Sequence, residues 1–363
     1  MENTIAATGQ GYKEKKFFFR WAISAPGLLT QLIFGWLPLM IGLISAFQTF
    51  NFKHSTWCGV ENFKSVLSDP LCTPFSPRAA TDHYDISVKK YTELHSESPN
   101  PAMKVWYRVR SLYFGLGVVW RNTIYYVALD LCIVFFIPII VSILLMEMPP
   151  WLIRIMMIFW WIPIADMAST ILLKYFYNVD YGLLNGLIKN FYIMIGKPES
   201  TWLFPRWLNS PDLAMLCIVL PSIIMFMPGL VYVAALQGIP QDLYDAAEID
   251  GCGFLQKIWY ITLPRLRPII STMMIFALIA AFQIMDQILI MTGGGPANKT
   301  ITVSYYIYKL SFDYLEIGKA NALAVIFFIF LMLLTVIQRT FFKEDVDRGE
   351  DKKTLKLIDK KDG

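Results

Sequence analysis

The chain has 363 residues, of which 56% are hydrophobic and only 17% are charged, and its formal net charge is +4. Soluble domains usually contain about 25% charged residues, so this composition excludes an ordinary soluble protein and indicates a membrane protein. The small positive charge requires no nucleic-acid partner, and we expect none.

Six apolar runs are long enough to cross a bilayer, which takes roughly 20 apolar residues per helix. A basic stretch precedes the first run, but no small-residue cleavage site follows a short apolar core, so we expect a retained span. The runs predict an all-α integral membrane protein with about six transmembrane helices, near residues 22–47, 119–146, 152–176, 212–236, 267–291 and 320–341.

Charges near the ends of the runs predict the orientation, because short cytoplasmic loops are enriched in Lys and Arg. The basic residues on the two sides are nearly equal in number, but those outside are spread over longer loops. We therefore expect both chain ends and the loop after the fourth run in the cytosol. The predicted organisation is a cytosolic segment at 1–21, a transmembrane domain at 22–341, and a basic cytosolic tail at 342–363 near anionic membrane lipid.

A long insertion, at about residues 71–115, separates the first two runs. Its first part is rich in Ser, Pro, Asp, Glu and Lys, and we expect it to be solvated outside the membrane. It contains His83 and His95, but their spacing fits no metal-ligand pattern, so no metal site is predicted. Cys58 and Cys72 share this outer region, and an oxidising compartment would permit a disulfide between them.

A polar segment at residues 243–269 separates the fourth and fifth runs, and its first part is typical of a helix. Pro240 suits the first turn of a helix, where a missing N–H costs nothing. Leu243, Ala246 and Ala247 fall at i, i+3 and i+4 and therefore share one face. A helix with small residues on one face can enter the groove of a partner.

The second part of this segment predicts a turn and another helix. Gly251 permits the left-handed backbone conformation that ends a helix. A second short helix is expected from 254 to 260, and Pro264 and Pro268 mark the entry into the next apolar run. By pattern alone, an amphipathic helix pair lying on the membrane surface remains an alternative to a docking surface.

The fifth run contains polar side chains, which are costly in lipid and usually face a cavity or another helix. Gln283, Asp286 and Gln287 fall at i, i+3 and i+4, so we expect them on one helical face. Such a face is typical of a lined pathway through a membrane, although a structural role for Asp286 is an equal alternative.

The segment GGGPANKT at 293–300 is close to the phosphate-binding pattern GxxxxGK[ST]. Asn298 replaces the second glycine, however, and no strand precedes the segment, which that site requires. We therefore predict no nucleotide site, no cofactor and no catalytic residue in this chain.

Two motifs carry a family resemblance. The polar segment has Asp-Ala-Ala at 245–247, glycine at 251 and Ile-x-Leu-Pro at 261–264, and the fifth run continues as FQIMDQILIMTGGGP at 282–296. They resemble the EAA loop and the fifth-span FxxxDxxxxxTxGGP signature of inner-membrane permeases of carbohydrate ABC importers, the branch of the maltose and glycerol-phosphate permeases. The resemblance implies a cytosolic EAA coupling loop between spans four and five, formed by Asp245, Ala246, Ala247, Asp250, Gly251, Ile261, Leu263 and Pro264.

The resemblance also implies the function and the partners. The chain would be a non-catalytic permease subunit that moves a sugar or oligosaccharide across the cytoplasmic membrane of a prokaryote. A second homologous permease, a pair of cytosolic ATPases and an extracellular solute-binding protein would complete the importer. Gln283, Asp286 and Gln287 would then line the substrate pathway.

The chain departs from the family pattern at two places. Asp245 replaces the leading glutamate of the loop, so the charge is kept on a shorter side chain. The insertion at 71–115 interrupts an otherwise matching order between Asp69-Pro70 and Asn122-Thr123, and we expect it to help dock the solute-binding protein.

Two other classes of function fit the sequence less well. A secondary transporter driven by ions would favour internal repeats and paired intramembrane carboxylates, and neither is evident in the sequence. A membrane-bound enzyme would need a catalytic constellation, and none is recognisable. ATP dependence of uptake separates the first alternative from an ATP-driven importer.

Overall fold

A computed structural model describes residues 24–51, 54–69, 71–72, 117–160, 166–199, 202–225 and 230–359. The predicted segment 1–21 and nearly all of the insertion at 71–115 lie outside these residues. The described part is mostly helical, and the prediction of an all-α membrane protein is confirmed. Cys58 and Cys72 are both free thiols.

Four helical stretches in the described part are long and apolar enough to cross a membrane: Ser24–Ser45, Val118–Met146, Phe254–Met291 and Ile317–Thr340. They correspond to the first, second, fifth and sixth predicted runs. The third and fourth runs are each covered by two shorter helices, and the residues between those helices, 161–165 and 226–229, lie outside the description.

The helices are numbered in chain order. In the first part of the chain they are α1 (Ser24–Ser45), α2 (Glu61–Ser68), α3 (Val118–Met146), α4 (Pro150–Trp160), α5 (Asp166–Phe176), α6 (Leu183–Met194), α7 (Ala214–Met225) and α8 (Leu230–Gln237). They continue as α9 (Gln241–Ile249), α10 (254–282), α11 (Asp286–Met291), α12 (Val303–Tyr308) and α13 (Ile317–Asp359). Helix α13 therefore continues beyond residue 341, where the sequence predicted the start of the tail.

A two-stranded antiparallel hairpin follows α1, and the sequence analysis missed it. Strand β1 (Gln48–Asn51) pairs with β2 (His54–Trp57), with Thr49 opposite Thr56. Isolated hairpins are marginal in water, so this one needs contacts with its surroundings.

The chain divides into two compact units, and the hairpin belongs to the unit that comprises Met1–Val66 and Leu310–Val325. Phe47 stacks on Trp57 with ring centroids 5.7 Å apart and also contacts Phe63. The side-chain amide of Asn62 donates to the carbonyls of Ala46 and Gln48, both at 2.9 Å. These contacts attach α2 to the hairpin and supply the stabilisation that the hairpin lacks alone.

The other unit comprises Leu67–Lys309 and Ile326–Gly363. In its core, Phe135, Ile139 and Tyr232 pack together from α3 and α8 and contact apolar residues of α10. Trp120 and Phe282 both pack edge-on against Phe330, with ring centroids 5.2 and 5.4 Å away. This packing surrounds α10, the helix that follows the predicted coupling loop.

Candidate functional site

The predicted coupling loop begins with α9, and Gly251 ends this helix as expected. Gly251 has φ of 76°, in the left-handed region that glycine adopts without strain. Its N–H donates to the carbonyl of Glu248 at 3.0 Å, and the N–H of Cys252 donates to the carbonyl of Ala247 at 2.8 Å. This pair of bonds is a Schellman motif, which satisfies carbonyls at the helix end.

Two side-chain contacts hold α9 against the beginning of α10. The Lys257 ammonium lies 2.9 Å from a carboxylate oxygen of Glu248. The hydroxyls of Tyr244 and Thr262 are 3.0 Å apart, and the Thr262 side chain is buried. The hydrogen bond from Lys257, reinforced by its positive charge, holds the pKa of the Glu248 carboxyl below its usual value. The loop is therefore a braced turn rather than a loose connection.

The expected second short helix, from 254 to 260, is a wrong prediction, because the chain stays helical from 254 to 282. The segment Phe254–Lys257 leads into a π-helical turn at Ile258–Thr262, and the α-helix resumes at Leu263. Pro264 lies at the start of this last part, where its missing N–H is tolerated. The wider π turn lets the Leu263 N–H reach the Ile258 carbonyl, so the prolines do not separate the loop from the span.

Four of the eight predicted coupling residues help to line a groove of about 350 Å³: Ala246, Ala247, Asp250 and Ile261. The other four, Asp245, Gly251, Leu263 and Pro264, are not part of its lining. Among all eight, Ala247 is buried, with 8% of its surface exposed, whereas Asp245, Ala246, Asp250, Gly251 and Pro264 are exposed and Ile261 and Leu263 are half-buried. The structure thus brings both ends of the motif to one concave surface. Its mixed apolar and charged lining suits a protein segment.

Sequence reasoning missed one exposed residue beside this groove. Ile249, at the end of α9, has 87% of its surface exposed. An exposed isoleucine at the tip of a short helix is available to a partner, because covering its apolar surface removes that surface from water. The sequence did hold a signal of this exposure, because Ile249 lies among acidic residues and immediately before Asp250 and Gly251.

The polar residues of the fifth run do not share a continuous helical face, which corrects the prediction. Helix α10 ends before Gln283 and helix α11 begins at Asp286, so the segment 283–285 interrupts the helix. The Ser304 hydroxyl donates to the Phe282 carbonyl at 3.2 Å, and the Thr302 hydroxyl donates to the Ile284 carbonyl at 3.0 Å. These tertiary bonds replace helical bonds and stabilise an interruption that no glycine or proline announces.

Gln283 therefore lies in the interruption itself, whereas Asp286 and Gln287 lie on α11 just beyond it. Gln283 and Asp286 are exposed, whereas Gln287 is half-buried. The side-chain Oε1 of Gln287 is buried and has no hydrogen-bond partner within the described part of the chain. Buried polar atoms are rarely left unsatisfied, so this oxygen retains an unused capacity to accept a hydrogen bond.

Lys174 of α5 holds the far end of α11. Its ammonium donates to the carbonyl of Ile290 at 2.7 Å. A cation at the carboxyl end of a helix is favourable because the last carbonyls carry partial negative charge. This contact fixes the short helix that carries Asp286 and Gln287.

The loop at 292–302 is attached to α3 by the Asn-Thr pair noted in the sequence. The Asn122 amide donates to the carbonyls of Asn298 and Ile301, at 2.7 and 3.0 Å. The Thr123 hydroxyl accepts from the N–H of Val303 at 3.0 Å. Both side chains are buried. The Asn122-Thr123 pair and the loop at 292–302 therefore stabilise each other, and neither Asn122 nor Thr123 is available for a ligand.

Asp69 has a similar structural role. Its carboxylate accepts a hydrogen bond from the Tyr306 hydroxyl at 2.7 Å and another from the Leu71 N–H at 2.9 Å. The sequence marked the Asp69-Pro70 pair as a motif but did not reveal its partner, because 237 positions separate Asp69 from Tyr306.

Comparison with known proteins gives a family match over most of the chain. The family described as "Binding-protein-dependent transport system inner membrane component" matches residues 112–344. This range includes the braced loop, the interrupted fifth span and the loop at 292–302.

Individual relatives match over a shorter stretch. A sulfoquinovosyl glycerol transport system permease protein of Agrobacterium fabrum is 34% identical over 181 residues, which cover 49% of this chain and 55% of the relative. A trehalose/maltose transport system permease protein of Thermococcus litoralis is 33% identical over 188 residues, covering 50% and 59% respectively. The chain thus spans less than two thirds of the length of these relatives.

Solved structures share the fold. One chain in the crystal structure of a bacterial ABC transporter involved in importing the acidic polysaccharide alginate gives a TM-score of 0.66 at 19% identity, over 92% of this chain and 99% of that chain. A chain of the bacterial alginate ABC transporter in complex with an alginate pentasaccharide-bound periplasmic protein gives 0.64 at 19% identity, over 90% and 94%.

Proposed function

Because the chain belongs to the family of binding-protein-dependent transport system inner membrane components, we propose that it is a permease subunit of an ATP-driven sugar importer. The chain is an inner-membrane protein. Relatives named for a sulfoquinovosyl glycerol and for trehalose and maltose favour a sugar or oligosaccharide as the substrate.

The geometry of the coupling loop supports this proposal most directly. Helix α9 presents the exposed residues Ala246 and Ile249 next to a groove of about 350 Å³. Covering these apolar side chains with a protein partner would be favourable, because it removes them from water. We propose a cytosolic ATPase as that partner, and ATP hydrolysis would take place there rather than in this chain.

Force would pass from the ATPase to the membrane along α10. The contacts Glu248–Lys257 and Tyr244–Thr262 attach α9 to this helix. Helix α10 then continues without a break to residue 282, which at 1.5 Å per residue is a rod about 40 Å long. Movement of the loop would therefore displace the inner part of the fifth span directly.

The substrate would pass the interrupted region of the same span. Gln283, Asp286 and Gln287 remain our candidates for lining the pathway. The unsatisfied Oε1 of Gln287 is suited to accept a hydrogen bond from a sugar hydroxyl. A second homologous permease would supply the other wall of the pathway, and an extracellular solute-binding protein would deliver the sugar.

Uptake by the reconstituted importer tests the proposal. The chain is co-purified with the products of neighbouring genes and placed in vesicles, and labelled sugar uptake is measured with and without enclosed ATP. We expect uptake that needs ATP hydrolysis and survives ionophores that collapse ion gradients. Uptake that ignores ATP but disappears with ionophores would instead identify a secondary transporter.

A further inference from the structure

Helix α6 exposes an apolar face that the proposed transport function does not use. Leu183, Leu187, Phe191 and Met194 fall at i, i+4, i+8 and i+11 and therefore lie on one side of the helix. Leu187 is 56% exposed and Met194 is 77% exposed. This surface is unfavourable in water, because the free energy falls when large apolar side chains are removed from water.

The opposite side of α6 is fixed to the protein by polar contacts. Asn185 is buried, and it accepts a hydrogen bond from the Trp207 indole N–H at 2.8 Å while donating to the Val179 carbonyl at 2.9 Å. Tyr192 stacks on Trp202, with ring centroids 6.2 Å apart. The helix thus turns its polar side toward the protein and its apolar side away from it, the reverse of a helix in a soluble protein.

The position of α6 places it at the boundary of the membrane. It follows α5, which belongs to the third predicted span, and a tight turn joins them, since a Cβ on Gly182 would lie 2.2 Å from the Asn178 carbonyl oxygen. Helix α6 has 12 residues, which is too short to cross a bilayer. Helix α5 also has exposed apolar residues, including Leu172 and Tyr175, and the ring of Tyr175 contacts that of Tyr181, just before α6.

Aromatic rings and lysines gather on the polar side of α6. The Lys189 ammonium lies 5.7 Å from the ring centre of Trp202, and the Lys197 ammonium lies 5.6 Å from that of Tyr192. The Trp202 indole N–H donates to the Lys197 carbonyl at 3.0 Å. Trp and Tyr concentrate at the level of lipid headgroups, and fixed cations at that level complement lipid phosphates.

We propose that α6 is an interfacial helix that rests its apolar face on the acyl chains of the leaflet at this end of the third span. Lys189 and Lys197 then lie among the headgroups and favour anionic phospholipid. A helix is about 10 Å across, so with one face in the acyl region the other face reaches only the headgroup layer.

Spin-label accessibility tests the position of the helix. Leu187→Cys and, as a control, Glu199→Cys are made in the full chain with its five native cysteines replaced by serine, and each is labelled in lipid nanodiscs. Both positions are exposed in the structure. We expect the Leu187 label to collide several-fold more often with oxygen than with a water-soluble nickel complex, and the Glu199 label to show the opposite ratio.

Each other result overturns the proposal. Frequent collision of the Leu187 label with nickel places the face in water. Collision with neither reagent places it against a second protein subunit. Neither outcome bears on ATP-driven uptake, so a failure here is distinct from a failure of the proposed function.

The lysines are tested by changing the lipid. Adding phosphatidylglycerol to nanodiscs of neutral lipid should move the Leu187 label deeper into the bilayer. This is measured as a rise in the ratio of its collision rate with oxygen to that with the nickel complex. The double variant Lys189→Gln, Lys197→Gln should lose this response, while the surface control Lys299→Gln should keep it. The preference for anionic lipid is contradicted if the double variant responds equally. It is also contradicted if the labelled protein that retains both lysines does not respond.

Discussion

Gly251 ends α9 in the left-handed conformation and so fixes the direction in which the chain leaves the helix. A Cβ at this position would meet no atom within 4 Å, so the restriction is in the backbone and not in the space around it. Residues other than glycine and asparagine reach this conformation at a cost of roughly 1–2 kcal/mol. The shape of the braced loop therefore depends on one residue type.

We predict that Gly251→Arg abolishes transport while the protein remains in the membrane. Arginine strains the backbone and adds a long charged side chain at the docking surface. Sugar uptake and co-purification of the ATPase are measured together. The matched control is Gly251→Asn, which tolerates the same backbone angle and should retain most ATPase binding. Normal uptake and normal co-purification in the arginine variant would remove the coupling role of the loop.

We predict that acid loosens the contact between α9 and α10. The pKa of the Glu248 carboxyl is lowered in the folded protein by its bond with Lys257, so the carboxylate stabilises the fold above its unfolded pKa. That stabilisation is lost as pH falls through the folded pKa. It is small, because the pair is exposed and salt screens it. Hydrogen exchange of α9, corrected for intrinsic rates, should rise in acid for the wild type but show no matching step in Glu248→Gln.

At the scale of elements, the interruption at 283–285 separates the fifth span into an inner rod and a short outer helix. Helix α11 has six residues, and a helix this short depends on tertiary contacts. Lys174, Thr302 and Ser304 provide them. Gln283 thus lies in the interruption and Gln287 lies on the short outer helix.

We predict that Gln287→Cys reacts with a membrane-impermeant thiol reagent at a rate that changes with bound nucleotide. The Gln287 side chain is half-buried, and its Oε1 has no hydrogen-bond partner among the described residues, so motion of α10 would alter the exposure of a cysteine at this position. Gln283→Cys is the companion variant, and Ser in place of either glutamine is the unreactive control. If both cysteines stay inert in every nucleotide state, this region faces lipid or another helix.

We predict that Asn122→Ala destabilises the loop at 292–302. The substitution removes the Asn122 donor from the carbonyl of Ile301 and one of two donors from the carbonyl of Asn298, which still accepts from the Ile301 N–H. A buried unsatisfied group costs about 1–3 kcal/mol. The thermal midpoint of the detergent-solubilised protein should fall. Ser271→Ala, which removes an exposed bond within one helix, should change it little. An equal midpoint for both variants would contradict the structural role of Asn122.

Sequence patterns predicted those elements whose cause is local. The apolar runs predicted the spans, and the single glycine at 251 predicted the end of α9, because residue type decides both. The interruption at 283–285 depends on hydroxyls of Thr302 and Ser304 from a later part of the chain. The helix through Pro264 depends on a π turn, and the hairpin depends on Asn62. None of these contacts has a signature in the local sequence.

At the scale of the whole molecule, the insertion at 71–115 is the largest departure from the family pattern, and it lies outside the described residues apart from 71–72. Its attachment points are well fixed. Asp69 bonds to Tyr306 on one side, and Asn122 bonds to the loop at 292–302 on the other. Contacts outside the insertion therefore hold both of its flanks, in addition to those of Leu71, whose N–H donates to Asp69 and whose carbonyl accepts from the Val119 N–H.

We predict that replacing 71–115 with a short Gly/Ser linker leaves expression and ATPase assembly intact. Loop-closure entropy changes only slowly with length, so the helices on both sides should keep their contacts. Stimulation of ATP hydrolysis by the solute-binding protein should fall, because we expect the insertion to help dock that partner. The control is a variant that keeps the length of the segment 71–115 but scrambles its sequence. Loss of membrane assembly would make the segment structural instead.

The π-helical turn at Ile258–Thr262 has a consequence for how such a chain tolerates changes in length. A π turn holds one residue more than the α-helical path beside it, so deleting any one of these residues can restore a regular helix. The five residues of this turn cover about the angle that four residues cover in an α-helix, so the repaired helix would leave α9 facing nearly its present direction. The same deletion in the regular part of α10 would rotate everything before it by about 100° around the helix axis. Natural variants should accordingly tolerate a single-residue deletion in this turn far better than one elsewhere in α10.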